Sequence, residues 1–261
     1  MAAGGAYAVA LEAVTRELAR PGGVGVGVDD GGTRGEQLPR AILVPDYHLR
    51  AGVVVRGEDY PAVIACAAEV VQRAGGAVTE LHATEIVNPG ARSPWRAVPF
   101  ETRLEVYRAW AECLERAVQR IPYVYVAAEQ YAGFLARAAA LGATMPERQE
   151  EGLQRVFYRC LGPWLQTEFA GEPVVVQDEP SYGPDLGKGL GFWGDAVVVA
   201  PSEALPLVQL ADLAAYTVNR WYHIKGRAQR DPHAVASPFD EVTVDLLIKT
   251  TTRRCHLLDH V

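Results

Sequence analysis

Asp212 interrupts an otherwise apolar helical stretch, Leu207-Val208-Gln209-Leu210-Ala211-Asp212-Leu213-Ala214-Ala215-Tyr216, with Pro206 ahead of it. At helical spacing Leu207, Leu210, Ala211, Ala214, Ala215 and Val218 form one face, and Gln209, Asp212, Tyr216, Asn219 and His223 form a polar stripe. A carboxylate so placed reaches solvent, caps a backbone group or is held by a cation. Further acids stand at the ends of strand-like runs. Val24 to Val28 leads into Asp29-Asp30, Pro173 to Gln177 leads into Asp178-Glu179, and Thr79 to Glu85 places Glu80, His82 and Glu85 near a strand or turn end. Convergence of Asp29, Glu80, Asp178 and Asp212 would describe a divalent-metal site, because like charges crowd together unprotonated only around a cation and hard cations take oxygen ligands. His82 alternates with Glu80, which in a strand puts both on one side; a structural histidine and an acid/base or ligand role both stay open.

Cations able to meet an anionic substrate are few near these acids. Lys188 lies in the glycine-rich run Gly183 to Gly191, shortly after Asp178; the run lacks the Gly-Lys-Ser/Thr of a phosphate loop. His223, Lys225, Arg227, Arg230 and His233 form a short basic run beyond Asp212, from which Lys225 and Arg227 join Lys188 as candidate substrate-binding residues. Arg253-Arg254 beside His256 is a weaker version of the same feature. Neither a Gly-x-Ser-x-Gly elbow nor a His-Glu-x-x-His zinc motif occurs.

The elements that must position these residues read as alternating strands and helices. Ala6 to Ala19 has amphipathic helical spacing and stops at Pro21-Gly22-Gly23. Strands are expected at Val24 to Val28, Ala41 to Val44, Gly52 to Val55, Tyr123 to Ala127, Val174 to Val176 and Ala196 to Val199. Helices are expected from Pro61 to the Gly75-Gly76 stop, over Phe100 to Arg120, over Pro146 to Phe169 with an interruption near Gly162-Pro163, and through the Asp212 segment. That alternation argues for an α/β domain with antiparallel pairing among the early, closely spaced strands.

With 261 residues, 49% hydrophobic and 22% charged, the chain can bury one large core. Its 25 basic and 32 acidic residues give a net charge of −7, so nucleic acid would be drawn only to a local patch. Cys66, Cys113, Cys160 and Cys255 lack metal-knuckle spacing and read as reduced thiols, which with no long apolar run implies a cytoplasmic protein without a membrane span.

The order Val28-Asp29-Asp30-Gly31-Gly32, Ala51 to Val55 followed by a helix, Glu80-Leu81-His82-Ala83-Thr84, Val175-Val176-Gln177-Asp178 and Gln209 to Tyr216 resembles the domain of unknown function 3800 family, over residues 24 to 223. The usual first motif there is Asp-Glu-Ser-Gly, where this chain has Asp29-Asp30-Gly31-Gly32. The resemblance implies a ribonuclease H-like fold, a mixed sheet flanked by helices, with Asp29, Glu80, Asp178 and Asp212 as metal-binding acids; His82 joins the catalytic set from its place beside Glu80. A single domain is expected over residues 1–261, with a helical extension at about 1–22 and another at about 224–261. The activity implied is metal-dependent phosphodiester hydrolysis with two Mg²⁺ or Mn²⁺ ions, on nucleic acid or a small phosphate-containing substrate. Two alternatives keep the fold: a metal-independent small-molecule enzyme using His82 and nearby acids, and a catalytically silent binding module. Oligomeric state and pathway leave no mark in the sequence.

Overall fold

The computed structural model describes residues 12, 15, 16, 18–32, 47–76, 78–127, 133, 136, 139, 140, 149–178, 197–199, 202–231, 233 and 235–260. Among them one sheet holds β1 (Val24–Gly32), β2 (Tyr47–Arg56), β3 (Val118–Ala127), β4 (Val174–Asp178), β5 (Val197–Val199) and β6 (Arg254–His256), in the order β5-β4-β1-β2-β3-β6. β1, β2 and β3 form an antiparallel meander. β4 joins the other side of β1 in parallel, β5 extends it in parallel, and β6 lies parallel to β3 at the opposite edge. Helices α1 (Tyr60–Ala74), α2 (Ala83–Val87), α3 (Phe100–Ala117), α4 (Gln149–Glu168), α5 (Pro206–Arg230) and α6 (Pro238–Lys249) flank the sheet. A three-strand antiparallel meander whose first strand pairs in parallel with β4, itself paired in parallel with β5, is the ribonuclease H-like α/β arrangement.

The alternation in β1 decides what lies on each face. Val24, Val26 and Val28 are fully buried on one side, against Phe157, Leu161 and Leu165 of α4. Gly25 and Gly27 face the other side, where a Cβ on Gly27 would lie 2.1 Å from the carbonyl oxygen of Leu207. Only the absence of side chains lets the first turn of α5 come down onto β1. Continuing the period of two, Asp29 is the next residue on the α5 side and Asp30 turns toward α4. Further along α5, Ala215 and Val218 pack on Leu49 and Ala51 of β2. α1, α3 and the underside of α5 close the largest core, around Tyr60, Tyr107 and Trp110.

Three boundaries differ from expectation. α3 ends at Ala117 and passes directly into β3, since Val118 is already extended and β-branched or apolar residues follow. α4 runs unbroken through Pro163, because Leu161, Trp164 and Leu165 are all buried on the sheet and their packing outweighs one missing N–H. The chain beyond residue 224 completes α5, then supplies α6 and β6, so it builds sheet as well as helix. The expected strand at Ala41 to Val44 lies outside the described residues, as does most of the N-terminal helix, of which Leu18 is buried against β1. No helix among the described residues is long and apolar enough to cross a membrane.

Candidate functional site

The polar stripe of α5 is turned inward, onto the coil that leads into α2. Gln209, 4% exposed, accepts a hydrogen bond from the Leu81 N–H through Oε1 at 3.0 Å and donates from Nε2 to the Ser202 carbonyl at 2.9 Å. One turn on, Asp212 accepts from the Ala83 N–H through Oδ2 at 2.6 Å, while its Oδ1 lies 3.9 Å from His82 Nδ1. Ser202 Oγ in turn donates to Glu80 Oε1. The segment from Glu80 to Ala83 is therefore pinned at three points, two of them on α5 (Gln209 and Asp212) and one, Ser202, on the turn ahead of it. Each uses a backbone or carboxylate group that a free coil would have left to water. Of the strand or turn end expected for Glu80 and His82, the strand is absent. They lie in coil, with His82 as the residue capping α2, because Gln209 and Asp212 take up the backbone groups that a neighbouring strand would have paired.

Close approach of α5 to β1 brings the Asp29 carboxyl into electrostatic reach of Asp212. Burial, then the charge of Asp212, then that of Asp30, push the Asp29 carboxyl well above its ordinary range; its bond from the Asp30 N–H, 2.8 Å, and the guanidinium of Arg50 act the other way. Burial raises Asp212 too, opposed by His82, the Ala83 N–H and the hydrogen bond from Asp29. Both carboxyls therefore keep their protons to a higher pH than a free carboxylate does. His82 stands at the mouth, its side chain 48% exposed, whereas that of Asp212 is 13% exposed. Together these groups can exchange a proton, or exchange that proton for a cation. Among the described residues, no three His, Cys, Asp or Glu side chains are grouped as a metal cluster.

The remaining sequence candidates fall in different places. Asp178 closes β4, one residue beyond the Gly27–Gln177 pairing, and its side chain lies outside the described residues, as does all of Lys188. Glu85 accepts from Ser93 Oγ at 2.7 Å and serves the fold of the connector. Lys225 is exposed on α5. Arg227 is bound to Asp240 of α6, Nη2 to Oδ2 at 2.5 Å, alongside Arg220, whose Nε meets Oδ1 at 2.7 Å. Arg253 and Arg254 spend hydrogen bonds on backbone carbonyls of Val118 and Leu247. Sequence reasoning missed three residues of this region. Arg50, the β2 register partner of Asp30, is 2% exposed with its guanidinium 5.7 Å from the Tyr158 ring, and nothing in the sequence marks it. Gln209 was visible on the stripe without its role. Asp240 was readable as the fourth residue of Ser237-Pro238-Phe239-Asp240, a capping-box spacing.

No family profile and no curated protein sequence matches the chain. Among solved structures it is similar to the ribonuclease H2 from Pyrococcus horikoshii OT3, with a TM-score of 0.45 and 11% sequence identity, over 86% of this chain and 85% of that one. Strand order and connection directions define the fold independently of this likeness.

Proposed function

We propose that the protein is a metal-dependent phosphodiester hydrolase, nuclease-like, of the domain of unknown function 3800 family. The observation that carries this reading is the Asp29–Asp212 pair: two partly buried carboxyls from separate elements, brought side by side where the glycines of β1 let α5 approach, and both raised. A donor set of buried carboxylate oxygens fits a hard divalent ion such as Mg²⁺ or Mn²⁺, which would relieve the repulsion that the proton now relieves. Asp29 and Asp212 would hold it, with Glu80 and Asp178 as the further acids inferred from sequence. Such an ion, when bound, activates water and steadies the leaving oxygen in phosphodiester cleavage. The chain's own residues do the rest. Gly25 and Gly27 set the distance between the two acids, the Ala83 N–H orients Asp212, and Gln209 fixes the coil on which His82 stands. His82, half-exposed beside Asp212, is placed to pass a proton between the site and water.

Substrate chemistry follows from the scarcity of cations. Lys225 is thirteen residues beyond Asp212, roughly 20 Å along a helix axis, too far to share one phosphate with the acids but within reach of an extended phosphate chain. With a net charge of −7, recognition would be local rather than by a global field. A polynucleotide held along α5 is therefore favoured over a small phosphate ester, in a cytoplasmic setting. The second reading is a metal-free proton-transfer enzyme, favoured by the raised Asp212 carboxyl standing 3.9 Å from a half-exposed histidine, His82. Thermal melts of wild type and Asp212→Asn, each in EDTA and in Mn²⁺, separate the two. The hydrolase reading expects Mn²⁺ to raise the wild-type melt only, together with Mn²⁺-dependent cleavage of single-stranded or hybrid oligonucleotides. A wild-type melt indifferent to Mn²⁺ rejects it in favour of the proton-transfer enzyme.

A further inference from the structure

β4 carries one polar side chain into the space beneath α5. Its alternation puts Val174 and Val176 into the core with α4 and Val175 into the core with α1, α3 and α5, so Gln177 follows Val175 onto the α5 side. Gln177 is 0% exposed and pairs in register with Gly27. Asp29, two residues beyond Gly27 on the same face, is its diagonal neighbour across adjoining strands, within reach of a long side chain. The amide donates from Nε2 to the Tyr60 hydroxyl of α1 over a long 3.5 Å. Its Oε1 is buried and has no hydrogen-bond partner among the described residues. A buried amide oxygen in that position has lost water and gained no donor from the fold.

We infer, on the hydrolase reading above, that Gln177 supplies a neutral third oxygen, Oε1, to the divalent ion that Asp29 and Asp212 would hold. The tether to Tyr60 sets the direction of the amide. Tyr60 opens α1 four residues past Arg56, which pairs with Val24, so it stands toward the end of β1 opposite Asp29. With Nε2 turned to that end, Oε1 is left for the Asp29 end. Chemistry agrees with place, since hard ions such as Mg²⁺ and Mn²⁺ take amide carbonyls beside carboxylates. Asp29 and Asp212 are already raised, and a further buried carboxylate beside them would add to the repulsion. An amide oxygen offers its lone pairs without that charge. One cation would satisfy the paired acids and the unpartnered oxygen together.

The test uses the full chain, with Mn²⁺ titrated and its free fraction followed by electron paramagnetic resonance, alongside melts in EDTA and in Mn²⁺. Gln177→Met keeps the length and loses the oxygen, so Mn²⁺ should bind about tenfold or more weakly while the melt in EDTA stays close to that of the wild type. Gln177→Glu keeps the shape and adds a charge, so Mn²⁺ should bind more tightly than to the wild type, and the melt in EDTA should fall as three carboxylates crowd. Wild-type Mn²⁺ affinity in Gln177→Met, with both melts lowered equally, marks a residue that only tethers α1 and overturns the inference. So does a Gln177→Glu protein that binds Mn²⁺ more weakly. A wild type that takes up no Mn²⁺ removes the hydrolase reading and this ligand with it, whereas wild-type uptake indifferent to both substitutions removes the ligand alone. Should Gln177→Met not fold, Gln177→Glu decides.

Discussion

Two buried aspartates flank α5 and live in opposite surroundings. At the C-terminal half, Asp240 is 1% exposed and surrounded by donors: Arg220 and Arg227 meet its two oxygens, and the Ser237 N–H donates to Oδ2 at 2.9 Å within a capping box. Burial by itself would raise its pKa, but Arg227, the Ser237 amide and Arg220 outweigh it and hold the carboxyl at about 2. At the N-terminal half, Asp29 is buried against Asp212, and both are raised. The difference separates an acid that completes a fold from one that keeps a place for something else. A structural carboxylate is given cations by the chain; the Asp29–Asp212 pair is given another carboxylate, and folding alone gains nothing from that.

The comparison breaks most visibly at Asp240. Asp240→Ala leaves two guanidiniums facing a void and removes the carboxylate half of the α6 capping box, so urea unfolding should show a loss of about 3 kcal/mol. Asp29→Asn measured in EDTA should cost nothing; an equal loss at both positions would erase the distinction. Gly27→Ala comes next. Its Cβ would press on backbone of α5, which cannot rotate away as a side chain does, so about 2 kcal/mol should be lost. The same variant pushes α5 from β1, and its Mn²⁺-dependent rise in melting temperature should vanish with the Asp29–Asp212 contact.

Smaller effects sharpen the contrast. In EDTA, Asp29→Asn should raise the melting temperature near neutral pH by the equivalent of about 1 kcal/mol, because the amide carries no charge to repel Asp212. The pH dependence of the wild type should carry both signs. Asp29 is raised in the folded state, so its contribution is whole below the unfolded carboxylate range and is lost as pH rises through the raised value. Asp240 is lowered, so its contribution is whole above the unfolded range and is lost as pH falls toward about 2. A series of melts in EDTA should therefore decline on both sides, and Asp29→Asn should remove only the alkaline decline.

Local patterns carried much of this into the sequence. The period of two in Val24 to Val28 marks β1, and an acid inside the apolar run around Asp212 marks a site, because both are written in adjacent or helically spaced residues. Contacts across long separations left no such trace. Arg227 read as a substrate-binding candidate since its partner Asp240 is on another helix, and Glu80 read only as near a strand or turn end since its partner, Ser202, is distant in the chain. β6 was missed as three mixed residues that become a strand only through β3. Pro163 shows the reverse failure, a strong local signal overruled by packing.

The 2.6 Å bond from the Ala83 amide to Asp212 gives the molecule its own spectroscopic probe. An amide proton held by a carboxylate shifts with the charge on that carboxylate, and its exchange with solvent follows the opening of the coil. Protonation, cation uptake or loss of the Gln209 tether would each be read from one backbone resonance, without a substrate and without knowing which reaction the site performs.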